Sequence, residues 1–308
     1  MDYLHVKRWC EQYFGCFALT MLLLLSVSPA IGSDDGKLVA VCSTTQTADF
    51  TRQIVGDHWQ VICVLGPAED PHTYEVGADD AKLVAKADLC VQNGWNLEGH
   101  SWMENLAKEA GKPIVSCVTG VAPLELQEGE QVVKDPHAWF DPKNAIIYVN
   151  NITDAICKVD PENEKHYRLR SELYTRQIGI LAGWVRKTVG SIPANRRVLV
   201  THHDAFGYFC NAFNFKPVSP VGWTTGEFSE VTPEKRQGIV KQIRDSGVKA
   251  IFIESSTNSE LIEGIARDAG VIVGSKLYSD AMGAAGTAGE SYIGMMRENV
   301  LKIIQSLQ

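Results

Sequence analysis

The chain has 308 residues, of which 45% are hydrophobic, and its formal net charge is -8. This length is enough for two lobes that each bury a core, and it is too long for one small domain. The negative charge, together with the lack of any run of Lys and Arg, argues against a nucleic-acid partner. An acidic surface is compatible with a cationic ligand but does not by itself show one.

The first 33 residues predict a secretory signal peptide. Lys7 and Arg8 precede an apolar run at 17–27, and small residues follow the run at 28–33. This is the order of a charged region, an apolar region and a cleavage site. An uncleaved membrane anchor is the alternative, because loosely apolar character extends over 14–31, near the minimum of roughly 18 residues for a span. In both cases we expect the rest of the chain to be periplasmic or otherwise extracytoplasmic.

Residues 34–160 predict an N-terminal lobe of alternating strands and helices. The expected strands cover 38–42, 61–65, 88–92 and 113–118, and the expected helices cover 47–55, 79–86 and 101–110. Continuous apolar runs with helices between them indicate βαβ units and a parallel sheet covered on both faces.

Residues 161–192 predict one long helix that joins the lobes as a stiff spine. Asp160 is a suitable N-cap, Pro161 suits the first helical position, and Gly190 with Pro193 ends the pattern. The apolar residues form two stripes, namely Tyr167, Tyr174, Ile178, Leu181 and Val185 on one and Leu169, Leu173, Ile180 and Trp184 on the other. A doubled stripe predicts a helix that touches both lobes.

Residues 193–308 repeat the alternation and predict a C-terminal lobe. Strands are expected at 197–201, 250–254 and 271–274, with helices at 205–212, 233–245 and 259–268, while 215–231 resists assignment. A last amphipathic helix follows a capping-box pattern at 287–290. The predicted fold class is therefore α/β, with two βα lobes that contain parallel sheets and are joined by one long helix.

Eight cysteines occur, and Cys10 and Cys16 belong to the predicted signal peptide, which leaves six. No two of them form a C-x-x-C pair, and four lie in apolar runs that predict strands. We expect buried free thiols, although an exported chain could oxidise a pair on neighbouring strands.

Two histidines share a tripeptide, Asp70-Pro71-His72 and Asp135-Pro136-His137, and both copies follow predicted strands. Proline restrains the backbone, so such a turn presents the next side chain in a fixed direction, as a metal ligand requires. A single copy is typical of an ordinary polar loop, but two copies favour a role of both histidines as metal ligands.

Two further polar segments follow strands of the second lobe. They are Thr201-His202-His203-Asp204, directly after a strand, and Ser279-Asp280-Ala281. Ligands in open α/β sheets collect at the carboxyl ends of strands, so the two lobes should bring their polar groups together in the cleft between them. Three imidazoles and one carboxylate complete a tetrahedral shell of the kind that zinc prefers. Taken alone, Asp280 is more typical of a helix N-cap or a turn.

Residues 36–308 resemble the TroA/ZnuA-type substrate-binding proteins of zinc and manganese ABC transporters. The matching pieces, which keep the family's order, are the two Asp-Pro-His turns, Asn93-Gly94 with Leu97-Glu98, LVTHHDAFGYF at 199–209, IFIES at 251–255 and LYSDAMGAAGT at 277–287. The resemblance implies an extracytoplasmic protein, acting as a monomer, that captures a metal ion for a membrane permease. It places the metal ligands at His72, His137, His203 and Asp280, and it makes His202 the variable neighbour, kept as a less favoured substitute.

Two positions depart from the family's pattern. Trp95 stands where a smaller aliphatic residue is more usual, and 226–228 only loosely match an acidic loop, so Glu227 is doubtful as a site residue. Because ligating imidazoles usually give their other N–H to a carboxylate or a carbonyl, Glu254 and Asp141 are candidate partners of the ligands.

The predicted cargo is one divalent ion, with Zn²⁺ first, Mn²⁺ second and Fe²⁺ third. Imidazole nitrogens favour zinc, whereas carboxylate and water suit manganese. In the family that the chain resembles, members preferring manganese tend to have Glu at the position of His203. The His-rich loop of many zinc importers is missing from this sequence.

The rival function is an exported zinc metallohydrolase, and a surface adhesin is a third reading. Catalysis requires an open coordination position and a nearby base, but the chain has no H-E-x-x-H motif and four protein ligands close the shell. We therefore expect a carrier and no enzyme.

Overall fold

A four-stranded parallel sheet opens the fold. Its strands β1 (Leu38–Cys42), β2 (Trp59–Cys63), β3 (Leu89–Gln92) and β4 (Ile114–Ser116) have the spatial order β2-β1-β3-β4. Helices α1 (Thr45–Val55), α2 (Ala78–Ala85) and α3 (Trp102–Glu109) connect them. The predicted parallel sheet and its helices are confirmed, although β2 begins two residues earlier than expected because Leu38 pairs with Trp59 and Cys42 with Cys63.

This computed structural model describes residues 36–128, 131–220, 222, 231–257 and 259–308. The predicted signal peptide at 1–33 and the doubtful site residue Glu227 lie outside these ranges.

A hairpin and a helix precede the long helix, and neither was predicted from the sequence. Strands β5 (Glu125–Glu128) and β6 (Gln131–Lys134) pair antiparallel, and α4 (Pro142–Val159) follows. Asp141 is the N-cap of α4, and its carboxylate accepts a hydrogen bond from the Lys143 N–H. An Asp-Pro pair before apolar residues at helical spacing was the available signal for this helix.

The long helix begins as a 3-10 turn (Pro161–Asn163) and continues as α5 (Glu164–Val189), which has 26 residues. It contacts α1 and α4 on the N-terminal side of the chain. Only the stripe that begins at Tyr167 is fully buried, although Trp184 of the second stripe is partly buried against the same core. Leu169, Leu173 and Ile180 of the second stripe are 56%, 51% and 73% exposed. The doubled stripe therefore does not mean two buried faces, because the second stripe contributes only Trp184 to the core.

The second half of the chain builds two small parallel pairs. Strand β7 (Val198–Val200) pairs with β8 (Lys216–Val218), and β9 (Ala250–Ile251) pairs with β10 (Ile272–Val273). Helices α6 (Gly207–Phe213), α7 (Pro233–Ser246), α8 (Glu260–Ala269) and α9 (Tyr292–Leu307) complete it. The long helix α5 also contacts α6 and α9.

The predicted capping box at 287–290 is wrong, because α9 begins later. Its N-cap is Ser291, whose hydroxyl accepts a hydrogen bond from the Gly294 N–H. Glu290 instead accepts a hydrogen bond from the Gly286 N–H within the preceding turn.

Residues 38–308 form one compact unit. Its largest apolar cluster joins side chains of β1, α1, α4, α5, α6 and α9, so helices from both halves of the chain share one core. The lobe boundaries at 34–160, 161–192 and 193–308 stay a prediction. Among the described residues, no helix is both long and apolar enough to cross a membrane.

The six cysteines of the described part are free thiols, and Cys63 alone among them is not fully buried. In protein that lacks 1–33, we expect Ellman's reagent to react slowly with the native state and to titrate six thiols after unfolding. Burial raises the pKa of Cys90 to about 11 and that of Cys42 to about 12. At pH 8 only about one Cys90 thiol in 1,000 is then ionised. A lower titre in unfolded, unreduced protein would reveal a disulfide and contradict the expectation.

Candidate metal centre

His72 lies in a turn that its own tripeptide stabilises. The Asp70 carboxylate accepts a hydrogen bond from the His72 N–H at 2.9 Å, which closes an Asx-type turn around Pro71. The Pro71 carbonyl accepts hydrogen bonds from the Gly99 N–H and from the Trp102 indole N–H. A Cβ at Gly99 would lie 1.9 Å from the His72 carbonyl oxygen, so only glycine fits there. The backbone therefore holds the His72 ring in place.

His137 lies in the same turn, with one further bond. Asp135 Oδ1 accepts a hydrogen bond from the His137 N–H at 2.9 Å and also lies 2.8 Å from the ring Nδ1. The Pro136 carbonyl accepts a hydrogen bond from the Asn93 side-chain amide. Because Asp135 holds the proton on Nδ1, the His137 Nε2 atom is left free to bind an ion.

The buried carboxylate of Glu98 supports the loop behind this turn. It accepts hydrogen bonds from the Ser43 hydroxyl at 2.6 Å and from the Asn93 and Gly94 N–H groups at 2.7 and 3.1 Å. Asn93 in turn holds the Pro136 carbonyl, so the Asn-Gly and Leu-Glu pieces of the family pattern position His137 from behind. Trp95, which departs from that pattern, has a positive φ of 52° and lies beside Lys134.

His203 follows β7 and is held by Glu254. One oxygen of Glu254 accepts hydrogen bonds from the His202 and His203 N–H groups at 2.8 and 3.0 Å. The other oxygen lies 2.6 Å from the His203 Nδ1. Glu254 is thus a partner of a candidate ligand, whereas Asp141 caps α4 instead.

Asp280 brings its carboxylate to all three rings. Its Oδ1 lies 3.3 Å from the Nε2 of His137 and 3.9 Å from the Nε2 of His72, and its Oδ2 lies 3.2 Å from the Nε2 of His203. The residue is 1% exposed and caps no described helix, so the alternative reading of an ordinary N-cap is wrong.

These four side chains form one compact donor set. Their candidate ligand atoms all lie within 4.8 Å of one another, and the Nε2 atoms of His72 and His137 are 3.3 Å apart. A zinc tetrahedron with metal–ligand distances of ~2.0–2.1 Å has edges of about 3.3–3.4 Å. Among the described residues, this is the one group of three or more His, Cys, Asp or Glu side chains that could hold an ion. His202 is buried beside it but is not a member.

The charges of the centre are coupled. Burial raises the pKa of Asp280, but His203 and His137 outweigh burial and hold it well below its usual range. Burial lowers the pKa of His72 to about 3, so this ring is neutral and ready to bind. Burial also acts against protonation of His137 and His203, but the neighbouring carboxylates outweigh it and raise the pKa of both rings. A cation in the centre would compensate the charge of the buried Asp280 carboxylate.

Known metal-binding proteins are similar to this chain in sequence and in fold. Residues 40–306 match the family model described as "ZnuA: Zinc-uptake complex component A periplasmic". The chain belongs to this family. It is 35% identical to the zinc-binding protein TroA of Treponema pallidum, over 96% of this chain and 98% of TroA. The solved structure of TroA superposes with a TM-score of 0.82, covering 88% of this chain and 99% of that one, at 32% identity.

Manganese proteins are also among its relatives. The manganese ABC transporter substrate-binding lipoprotein PsaA of Streptococcus pneumoniae is 31% identical over 93% of this chain and 94% of PsaA. A mutant, manganese-bound periplasmic metal binding protein from candidatus liberibacter asiaticus superposes with a TM-score of 0.80 at 27% identity, covering 88% of this chain and all of that one.

Membership in the ZnuA family confirms the predicted α/β class and the predicted role. The chain is a substrate-binding protein of a metal ABC transporter, which works with a membrane permease, and it is not an enzyme. The metallohydrolase and adhesin readings have no support among these relatives.

Proposed function

We propose that this chain captures one divalent transition-metal ion, zinc by preference, through His72, His137, His203 and Asp280 and releases it to its permease. The observation that carries the proposal is the donor set itself, in which the ligand atoms of three imidazoles and one carboxylate lie within 4.8 Å of one another. All four side chains are buried, so water is excluded from the ligands.

Zinc is favoured over manganese by the chemistry of the donors. The relatives include a protein described as zinc-binding and another described as a manganese transporter component, so the family name alone does not decide the metal. Three nitrogen donors favour zinc over manganese and ferrous iron at equal availability, following the Irving–Williams order. We rank manganese second and iron third.

The centre joins distant parts of the chain. His72 and His137 precede the long helix, whereas His203 and Asp280 follow it. We propose that 34–160 and 193–308 act as lobes that the ion draws together and that the permease recognises the closed form. Because 161–192 contain a continuous helix, closure would be a small tilt. The imidazoles bind the ion only in their neutral form, so affinity falls as the pH falls.

We also propose that the protein is exported by the signal peptide at 1–33 and acts as a monomer. The charged region, apolar run and small residues of that segment support export. Several relatives are described as lipoproteins. In this chain Cys16 precedes the apolar run instead of following it, which favours simple cleavage over lipid attachment, with an uncleaved anchor as the alternative.

Titration of metal-free protein with zinc, followed by calorimetry and by elemental analysis after gel filtration, tests the proposal. We expect one ion per chain and displacement of bound manganese by equimolar zinc. Retention of manganese against zinc would overturn the ranking of metals. No stoichiometric binding of any of the three metals would overturn the function itself.

A further inference from the structure

Two side chains at the start of α1 contact the backbone on both sides of Asp280. The Gln46 side-chain amide donates to the Ser279 carbonyl at 3.0 Å, and the Thr45 hydroxyl accepts from the Met282 N–H at 2.9 Å. These bonds join positions 233 and 237 residues apart in the chain. The start of α1 therefore holds the loop that supplies the carboxylate of the centre.

The two side chains also hold each other. The Thr45 hydroxyl donates to the Gln46 side-chain oxygen at 3.0 Å. Because that oxygen is occupied, the nitrogen of the Gln46 amide must point at Ser279. A continuous chain of hydrogen bonds thus runs from the Met282 N–H through Thr45 and Gln46 to the Ser279 carbonyl. Gln46 is 2% exposed, so solvent hardly competes for these bonds.

Neither side chain is required to cap the helix. The capping box of α1 is formed by Thr44 and Thr47, whose side chains and N–H groups bond reciprocally. Thr45 and Gln46 are thereby available for a contact outside their own helix. Substitutions at these two positions should leave the start of α1 intact.

Two serine contacts with the loop are longer. The Ser256 hydroxyl lies 3.3 Å from Asp280 Oδ2, and the Ser255 hydroxyl lies 3.5 Å from the Ala281 carbonyl. Each histidine of the centre, in contrast, has a carboxylate that fixes its turn at 2.8–3.0 Å. Asn299 of α9 bonds the N–H and the carbonyl of Tyr278 at 2.9 and 2.7 Å. Thr45 and Gln46 supply the short side-chain bonds to Ser279 and Met282, on either side of Asp280.

We propose that Thr45 and Gln46 are positioning residues that hold Asp280 against the three histidines and thereby slow the release of the bound ion. This inference rests on the proposed function, because it takes Asp280 as a ligand. When these bonds break, the carboxylate leaves the ion while the histidines, each held by its own carboxylate, stay in place. Metal release then begins at the Asp280 loop.

Thr45→Val and Gln46→Met test the inference, since each keeps the approximate shape of the side chain and removes its hydrogen bonds. Partners that orient metal ligands typically contribute ~10–100-fold to affinity, and we expect a loss of that size from either variant. Stopped-flow release of zinc into excess chelator should accelerate by a similar factor. Thr45→Ser keeps the hydroxyl and should restore wild-type release, which a merely structural effect of altering this position would not predict.

A double-mutant cycle with Asp280→Ala decides whether the effect passes through the carboxylate. We expect Thr45→Val to change zinc affinity in the wild-type background and to add nothing when Asp280 is already alanine. An equal loss in both backgrounds, or wild-type affinity and release in both Thr45→Val and Gln46→Met, would overturn the inference. If His137→Ala also binds zinc normally, the proposed function fails. If only His137→Ala loses binding, the function stands and the role of Thr45 and Gln46 fails.

Discussion

Replacement of His137 with alanine is expected to weaken zinc binding by roughly 100-fold or more. A four-ligand structural zinc site is worth ~10–16 kcal/mol near neutral pH, so one ligand contributes roughly 3 kcal/mol, and each 1.4 kcal/mol is tenfold in affinity. Calorimetric titration with a competing chelator measures the change. His58→Ala is the matched control, because His58 is exposed, stacks on His166 and is not a member of the donor set.

His72→Ala separates the loss of a ligand from damage to the fold. Removal of the His137 ring leaves the buried carboxylates of Asp135 and Asp280 without their shared partner, which destabilises the metal-free protein. Burial lowers the pKa of His72 to about 3, so its neutral ring can be removed with less electrostatic cost. We expect both variants to lose affinity and His72→Ala to keep more of its metal-free stability. Wild-type affinity in both would contradict the assignment of these ligands.

Zinc is expected to raise the unfolding temperature of the metal-free protein, and EDTA should reverse the effect. At 1,000 times the dissociation constant, a ligand that binds only the folded state contributes ~4 kcal/mol. With an unfolding entropy of ~2.1 cal/mol/K per residue, a gain of this size raises Tm by roughly 6–7 °C in a chain of this length. The ion also faces the buried carboxylate of Asp280, so this charge is better compensated in the loaded form.

Thermal scans of wild-type and His72→Ala protein with and without zinc measure this stabilisation. The variant should show little shift, because it lacks one of the four ligands. An equal shift in both proteins would mean that zinc stabilises the fold from another position. The comparison is independent of transport, so it tests the binding centre without the permease.

The sequence predicted the parallel alternation of the first sheet because buried strands and covering helices leave different hydrophobic periods. It failed at α4, where the Asp141–Pro142 start was available but not recognised, and at β8, which lies in the unassigned stretch 215–231. A strand of three residues such as β8 carries too few side chains for a period to be seen. Its existence depends on its partner strand β7.

The sequence alone supports some of the candidate ligands more strongly than others. His72 and His137 were marked by a repeated tripeptide whose turn is local, because an Asp side chain bonds the N–H two residues later. The preference for His203 over His202, and the choice of Asp280, relied on resemblance to a family. The structure places His203 and Asp280 in one donor set with His72 and His137, and His202 is not a member of it.

The sequence by itself determined the α/β class, the long helix and the two Asp-Pro-His turns, because hydrophobic periods and Asx turns act over a few residues. Only the tertiary structure decided that Glu254 holds His203, that one stripe of the long helix is buried, and that Thr45 and Gln46 hold the loop of Asp280. These contacts join positions tens to hundreds of residues apart. No local pattern records them, because they depend on how the packed elements bring distant backbone groups together.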